Sequence, residues 1–245
     1  MSRSIRYWLG VVVWSATFAC VPSMVRAAFV EVGACDALSA ARAASHVRLI
    51  ADVDCSTEEA ALLLSPAGRL ELRSHTLRGV EVLCLGDCRV FGPGTIENGG
   101  VAGGGHVVVR RVTVSGSPGD GVVASNPAGS GRVTLIDSTI ADSFGTGVEF
   151  DRRASFQRSH VVRSGRHGVA VSMRAGNDCA RGRIAAKAST FQDNGRDGDC
   201  GSAEVCADLA TCTAREAQLR YSTCDHSRQL GSGLPGSACG VCDFD

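Results

Sequence analysis

Between Val107 and Asp199 the chain repeats one arrangement of apolar and polar positions four times. Take Val114, Ile140, Val161 and Phe191 as anchors: seven residues after each stands a glycine, at Gly121, Gly147, Gly168 and Gly198. A small polar residue follows each anchor by three positions, at Ser117, Ser143, Ser164 and Asn194, and Val112, Ser138, Ser159 and Ser189 precede by two. Apolar pairs fill positions −7 and −5: Val107 and Val109, Val133 and Leu135, Ala154 and Phe156, Ile184 and Ala186. A further pair fills +8 and +10 in three copies (Val122 and Ala124, Val148 and Phe150, Val169 and Val171), where the fourth has Asp199 and Gly201.

Residues two apart on a strand point the same way, so −7 and −5 face one interior, and a turn must reset the register before −2 and 0 face inward again. Helical readings are poor, because glycine and β-branched residues dominate and no 3.6-residue period persists. The repeat therefore predicts short strands stacked rung upon rung around a shared core, since one rung cannot bury its own face. The small polar residues at −2 and +3 are expected to stack as hydrogen-bonded ladders. The glycine is expected to serve a positive φ or a close backbone approach. Weaker copies precede these, with Leu70, Leu72 and Leu77 in one and Phe91 and Ile96 in another. Successive anchors are 19, 18, 26, 21 and 30 residues apart, which places the length variation in turns.

The segment Val133 to Phe150, V-x-L-x-x-S-x-I-x-x-S-x-x-x-G-V-x-F, resembles the parallel β-helix repeat of the pectate-lyase superfamily. Leu70–Gly79 and Gly92–Gly99 are similar to the opening rungs of such proteins, and the resemblance covers roughly residues 68–200. It implies an all-β fold, a right-handed parallel β-helix with a capping helix over its first rung. It leaves activity open, since one fold hosts lyases, glycosidases, epimerases, adhesins and proteins without known activity.

The ends differ from the repeat. Arg3 and Arg6, the apolar run Tyr7–Phe18 and Val25-Arg26-Ala27 read as a secretory signal peptide over residues 1–27; lipoprotein processing at Cys20 is the other reading. Residues 28–66 are read as an N-terminal cap in which Asp36 N-caps a short helix through Ala37, Leu38, Ala41 and Ala44. Ser56-Thr57-Glu58-Glu59 fits a capping box, and Ala60–Leu64 fits a strand equally well. Rungs then fill 67–200, and 201–245 form a Cys-rich cap.

In an exported chain, Cys35, Cys55, Cys84, Cys88, Cys179, Cys200, Cys206, Cys212, Cys224, Cys239 and Cys242 are read as disulfide cysteines. Cys35 is expected to pair with Cys55, and Cys84 with Cys88. Eleven is odd, so at least one thiol is free, intermolecular or metal-bound. No segment after the leader is apolar enough to span a membrane. The predicted location is extracellular, periplasmic or at the cell surface. Without residues 1–27, 22 basic residues face 25 acidic ones, which disfavours a generic nucleic-acid binder.

Three constellations could carry chemistry. Cys224, His226, Cys239 and Cys242 have partial zinc spacing, but disulfides suit the compartment better. Asp193, Asn194, Asp197 and Asp199 offer oxygen ligands for Ca²⁺, though Asp and Asn are also ordinary turn residues. Outward positions of the repeat supply Arg110, Arg111, Asp137, Arg158, His160 and Lys187. Arginine forks suit uronate carboxylates, and Lys187, the sole lysine, could act as a base. The Asp pair and Gly-His-Gly segment of polygalacturonases have no counterpart, since His167 lies in Gly-Arg-His-Gly. The expectation is an exported β-helix protein that binds polysaccharide or is structural at the cell envelope, the alternative being a lyase or epimerase on acidic polysaccharide.

Overall fold

The computed structural model describes residues 29–58, 60–172, 182–195, 208–211, 218–224 and 227–229. Among them the regular structure is parallel β-strand, apart from one 3₁₀ turn at Cys35–Leu38. The strands fall into three columns. The first face runs through Ala44–Leu49, the second half of Ala60–Glu71, Cys88–Phe91, His106–Arg110, Arg132–Ile136, Arg153–Gln157, Arg183–Lys187 and Gln218–Arg220. The second, an eight-stranded sheet, runs through Val53–Asp54, Thr76–Arg78, Thr95–Glu97, Thr113–Ser115, Thr139–Ala141, His160–Val162, Thr190–Gln192 and Thr223–Cys224. The third runs from the first half of Ala60–Glu71 through Val80–Cys84, Val101–Gly103, Val122–Ala124, Val148–Phe150, Val169–Val171 and Leu209–Thr211 to Ser227–Gln229. Each circuit of the three faces is one rung, and the molecule is a parallel β-helix.

The registers follow the repeat. The six anchors Leu77, Ile96, Val114, Ile140, Val161 and Phe191 are Cα partners in one unbroken column and are fully buried. Val53 and Cys224 extend that column at either end. The rungs thus reach beyond residues 67–200 in both directions. In the last well-aligned copy the +8 and +10 pair recurs at Leu209 and Thr211, so the failure at Asp199 and Gly201 is an insertion between Phe191 and the third-face strand.

A left-handed residue makes each of two bends. At −3 stand Arg111, Asp137, Arg158, Ala188 and Tyr221, with φ of 55°, 51°, 47°, 50° and 50°. At +2 stand Asn98, Gly116, Asp142, Arg163 and Asp193, with φ between 51° and 66°. The bend at −3 rotates the pleat, so that −5 and −2 both point inward although three residues apart. It also leaves the amide of −2 without a backbone acceptor. The expected ladder at −2 supplies one: the N–H groups of Val112, Ser138, Ser159 and Ser189 donate to the hydroxyls of Ser138, Ser159, Ser189 and Ser222, one rung on, at 3.1–3.3 Å. Each serine hydroxyl donates in turn to the carbonyl two residues before it, at 2.8–3.0 Å.

The +3 column works differently from the expected ladder. Ser117 Oγ donates to the Asp120 carbonyl within its own turn, and among the described residues only the Ser164–Asn194 step of this column is a side-chain hydrogen bond between rungs. The column is small because it packs on the glycine column. A Cβ at Gly121 would lie 2.6 Å from Ser143 Oγ, one at Gly147 2.6 Å from Ser164 Oγ, and one at Gly168 2.6 Å from Asn194 Nδ2. None of these glycines has a positive φ, so close approach between rungs is what excludes a side chain there.

The N-terminal segment corrects an expectation. Cys35–Leu38 is a 3₁₀ turn preceded by Ala34, no side chain caps it, and Ala44 already begins a strand. Asp36 accepts only through its carbonyl, from Ser39 Oγ, and Ala43 at φ 60° turns the chain into the strand. Alternating burial of Val47 and Leu49 holds that strand in the sheet, while Leu38 and Ala41 join the core at this end. Ser56 and Thr57 form a turn, not a helix start, and Ala60–Glu71 is one strand crossing from the third face to the first. Cys35 pairs with Cys55 and Cys84 with Cys88, as expected.

Two substitutions test these contacts. Gly147→Ala should cost about 1–3 kcal/mol by overpacking against Val161, Ser164 and the Gly168 carbonyl, read as a lower urea midpoint. Ser159→Ala strands the Ser138 amide and should cost a similar ~1–3 kcal/mol, whereas Thr190→Ala on the outward second face should cost well under 1 kcal/mol.

Candidate functional site

Side chains on the first face alternate inward and outward, so each strand presents positions −8, −6 and −4 to solvent. At −8 stand His106, Arg132, Arg153 and Arg183, which are Cα partners in direct succession. Neighbouring strands lie about 4.8 Å apart, so these charges sit one above another at that spacing. At −4 stand Arg110, Ile136, Gln157, Lys187 and Arg220, again in register. Between them lie Val108, Thr134, Ser155, Ala185 and Gln218. From His106 to Arg220 the outward side of this face carries six arginine or lysine side chains and no carboxylate. All six are exposed, and none forms an ion pair among the described residues. A hollow of about 400 Å³ opens here, lined by Thr134, Arg153, Ser155, Gln157, Lys187, Gln218 and Arg220 over the backbone of the same strands.

At the bends and near the N-terminal end, acids pair with arginines of neighbouring rungs. At the −3 corner Arg158 Nε and Nη2 donate to the Asp137 carboxylate at 2.5 and 2.9 Å. Arg158 holds the Asp137 carboxyl below its ordinary range, and Asp137 raises the Arg158 guanidinium. The +2 corner repeats the device, with Arg163 forked on Asp142 at 2.8 and 2.7 Å. Near the N-terminal end Arg78 joins Asp54 and Glu97, at 3.0 and 2.7 Å. Asp54 is lowered to about 2, by Ser56 hydrogen bonds first and by Arg78 after them.

The residues singled out from sequence are therefore distributed over three surfaces. Arg110 and Lys187 lie on the first face, Arg111, Asp137 and Arg158 on the bend, and His160 on the second face in a column of threonines. Asp137 and Arg158 satisfy each other. Arg132, Arg153, Arg183 and Arg220, which share the first face with Arg110 and Lys187, were not among them. Their signal was available: three of the four aligned copies carry arginine immediately before the −7 residue. His106 completes that column; its Nε2 meets Thr134 Oγ1 at 2.9 Å. Burial holds its imidazole below the ordinary value, with Arg132 and Arg89 acting in the same direction and Asp87 opposing them.

The metal candidates resolve less favourably. Cys224 is disulfide-bonded, which removes it as a zinc ligand. Asn194 has its amide engaged: Oδ1 accepts from the Ser164 amide at 3.0 Å, and Nδ2 donates to Asp208 and the Val161 carbonyl. It belongs to the buried stack and not to an oxygen cage. Among the described residues no three His, Cys, Asp or Glu side chains gather as metal ligands. Residues 1–27, Cys179, Asp197, Asp199, Cys200, Cys206, Cys212, His226, Cys239 and Cys242 lie outside the described residues.

The corner pairs set an acid limit. The carboxyls of Asp54 and Asp137 are lower in the folded chain than in an unfolded one, so their contribution is present above the unfolded value near 4 and lost as pH falls through the folded values. Thermal unfolding midpoints should fall between about pH 4 and about pH 2, and Asp137→Asn should flatten part of that fall while lowering the midpoint at neutral pH.

No helix among the described residues is long and apolar enough to cross a membrane. No protein-family model, curated protein or solved structure matches the chain.

Proposed function

We propose that this chain is an exported, right-handed β-helix protein of the pectate-lyase-like kind that binds an acidic polysaccharide along its first face. The observation that supports it is the uncompensated column Arg132–Arg153–Arg183, flanked by Arg110, Lys187 and Arg220. Like charges directly opposite one another destabilise a sheet. The same chain pairs Asp with Arg at its corners, so the unpaired column is a departure from its own rule. A linear polyanion laid along the solenoid axis would neutralise the column rung by rung, with guanidinium forks on its carboxylates. Thr134, Ser155, Gln157 and Gln218 in the hollow offer hydrogen bonds to sugar hydroxyls. The disulfides accord with an oxidising compartment.

A second reading, a lyase or epimerase on uronates, rests on Lys187 sharing the hollow with Arg153 and Arg220. The weight against it is that Asp137, Arg158 and His160 lie off that face.

Binding is measured by retention on immobilised polygalacturonate across a salt series, with neutral dextran as control. Binding should weaken steeply with salt, and the triple variant Arg132→Ala, Arg153→Ala, Arg183→Ala should lose at least about tenfold in affinity. Equal retention of the triple variant, or equal retention on dextran, would refute the reading. Formation of unsaturated or epimerised product, with or without added Ca²⁺, would move it to the enzyme class.

A further inference from the structure

The third face is the opposite of the first. Its outward positions carry Leu63, Leu83, Ala102 and Val123 as Cα partners one rung apart, each part-exposed. Outward positions of a strand whose other side is buried are ordinarily polar, so an uncovered apolar column four rungs long is a cost without a fold-level return. It forms the floor of a groove of about 1260 Å³, walled by the turns at 98–100 and 116–120. Glu58, Glu81 and Asp120 line the groove, and no arginine, lysine or histidine does. Glu58 and Glu81 are exposed and make no ion pair among the described residues, whereas Asp54, Glu71, Glu97, Asp137 and Asp142 each pair with an arginine. Leu85, 60% exposed, stands at the rim in the short loop closed by Cys84 and Cys88.

We infer that this groove is a docking site for an extended peptide segment of alternating basic and apolar side chains, lying along the solenoid axis. Charge selects the partner: an apolar floor edged by carboxylates rejects acidic chains and desolvates poorly under purely polar ones. Length fits as well. Three rung steps span about 14 Å, which about four or five extended residues cover. Gly104 and Gly119, where an added Cβ would meet nothing closer than 3.8 Å, leave the groove open to close approach by a peptide backbone. This site is independent of polysaccharide binding, since a cationic peptide has no affinity for the first face.

The test uses the whole chain and a dye-labelled hexapeptide of alternating leucine and arginine, followed by fluorescence anisotropy. Saturable one-to-one binding is expected, with the leucine/glutamate hexapeptide at least about tenfold weaker and hexa-arginine clearly weaker too. Glu81→Lys should lose about tenfold, Leu83→Asp should lose more, and Arg153→Ala on the first face should change nothing. Circular dichroism checks that each variant folds, and the exposed Glu81→Gln serves where Leu83→Asp does not. Absence of saturation, hexa-arginine binding as well as leucine/arginine, or insensitivity to Glu81→Lys and Glu81→Gln would each overturn the proposal. So would protein-concentration-dependent self-association that blocks the peptide, which would assign the groove to a second copy.

Discussion

A buried amide that the sheet cannot satisfy governs this molecule. Closing a strand circuit needs a sharp bend, and the bend is made by a residue in the left-handed region at −3. That conformation turns the following N–H away from the neighbouring strand's carbonyls. An unpaired buried amide costs roughly as much as several well-placed methylenes contribute, so every rung must answer it. From Ser138 to Ser222 the answer is a hydroxyl one rung further on, which accepts that amide and donates within its own turn. Rung stacking and rung bending are thus one hydrogen-bond system, and the register cannot slip by one residue without breaking both.

Charge is arranged on top of this scaffold with two different logics. Corners carry Asp–Arg forks between adjacent rungs, and these hold the bends together at little cost because they remain in water. From His106 to Arg220 the first face withholds the partner acid, and the groove on the third withholds both the partner base and the polar cover. A solenoid offers each face as a ruler with one mark per rung, so a repeated choice at one column becomes a linear surface of a single chemical character.

Much of the fold was legible because inward positions repeat. Six anchors read from the chain became one continuous column, and the −2 serines became the ladder they suggested. What escaped had a physical reason. At the −3 bend the positive-φ residues are two Arg, an Asp, an Ala and a Tyr, of which only Asp favours that region, so little local marks the bend. The +3 and +7 columns looked like two separate signals, a ladder and a glycine kept for positive φ or close approach, whereas they are one close contact seen from its two sides. Candidate site residues were taken from outward positions −4, −3 and −1 of the repeat as one face, and the bend between −4 and −1 sends them to different faces. The arginine column at −8 was visible in the alignment but carries no chemical motif; it acquires meaning only when three copies are placed a strand spacing apart.

The Cys35–Cys55 bridge has a kinetic side. It spans 20 residues, enclosing the first-face strand Ala44–Leu49 and the second-face strand Val53–Asp54. Every later rung is added by a chain closure of comparable length, each onto the rung already in place. In a linear array of this kind the slow event is making the first unit against chain entropy, because propagation afterwards has a template. By holding both strands of that unit within one covalent loop, the bridge lowers the entropy cost of forming the unit on which the N-terminal end of the stack rests.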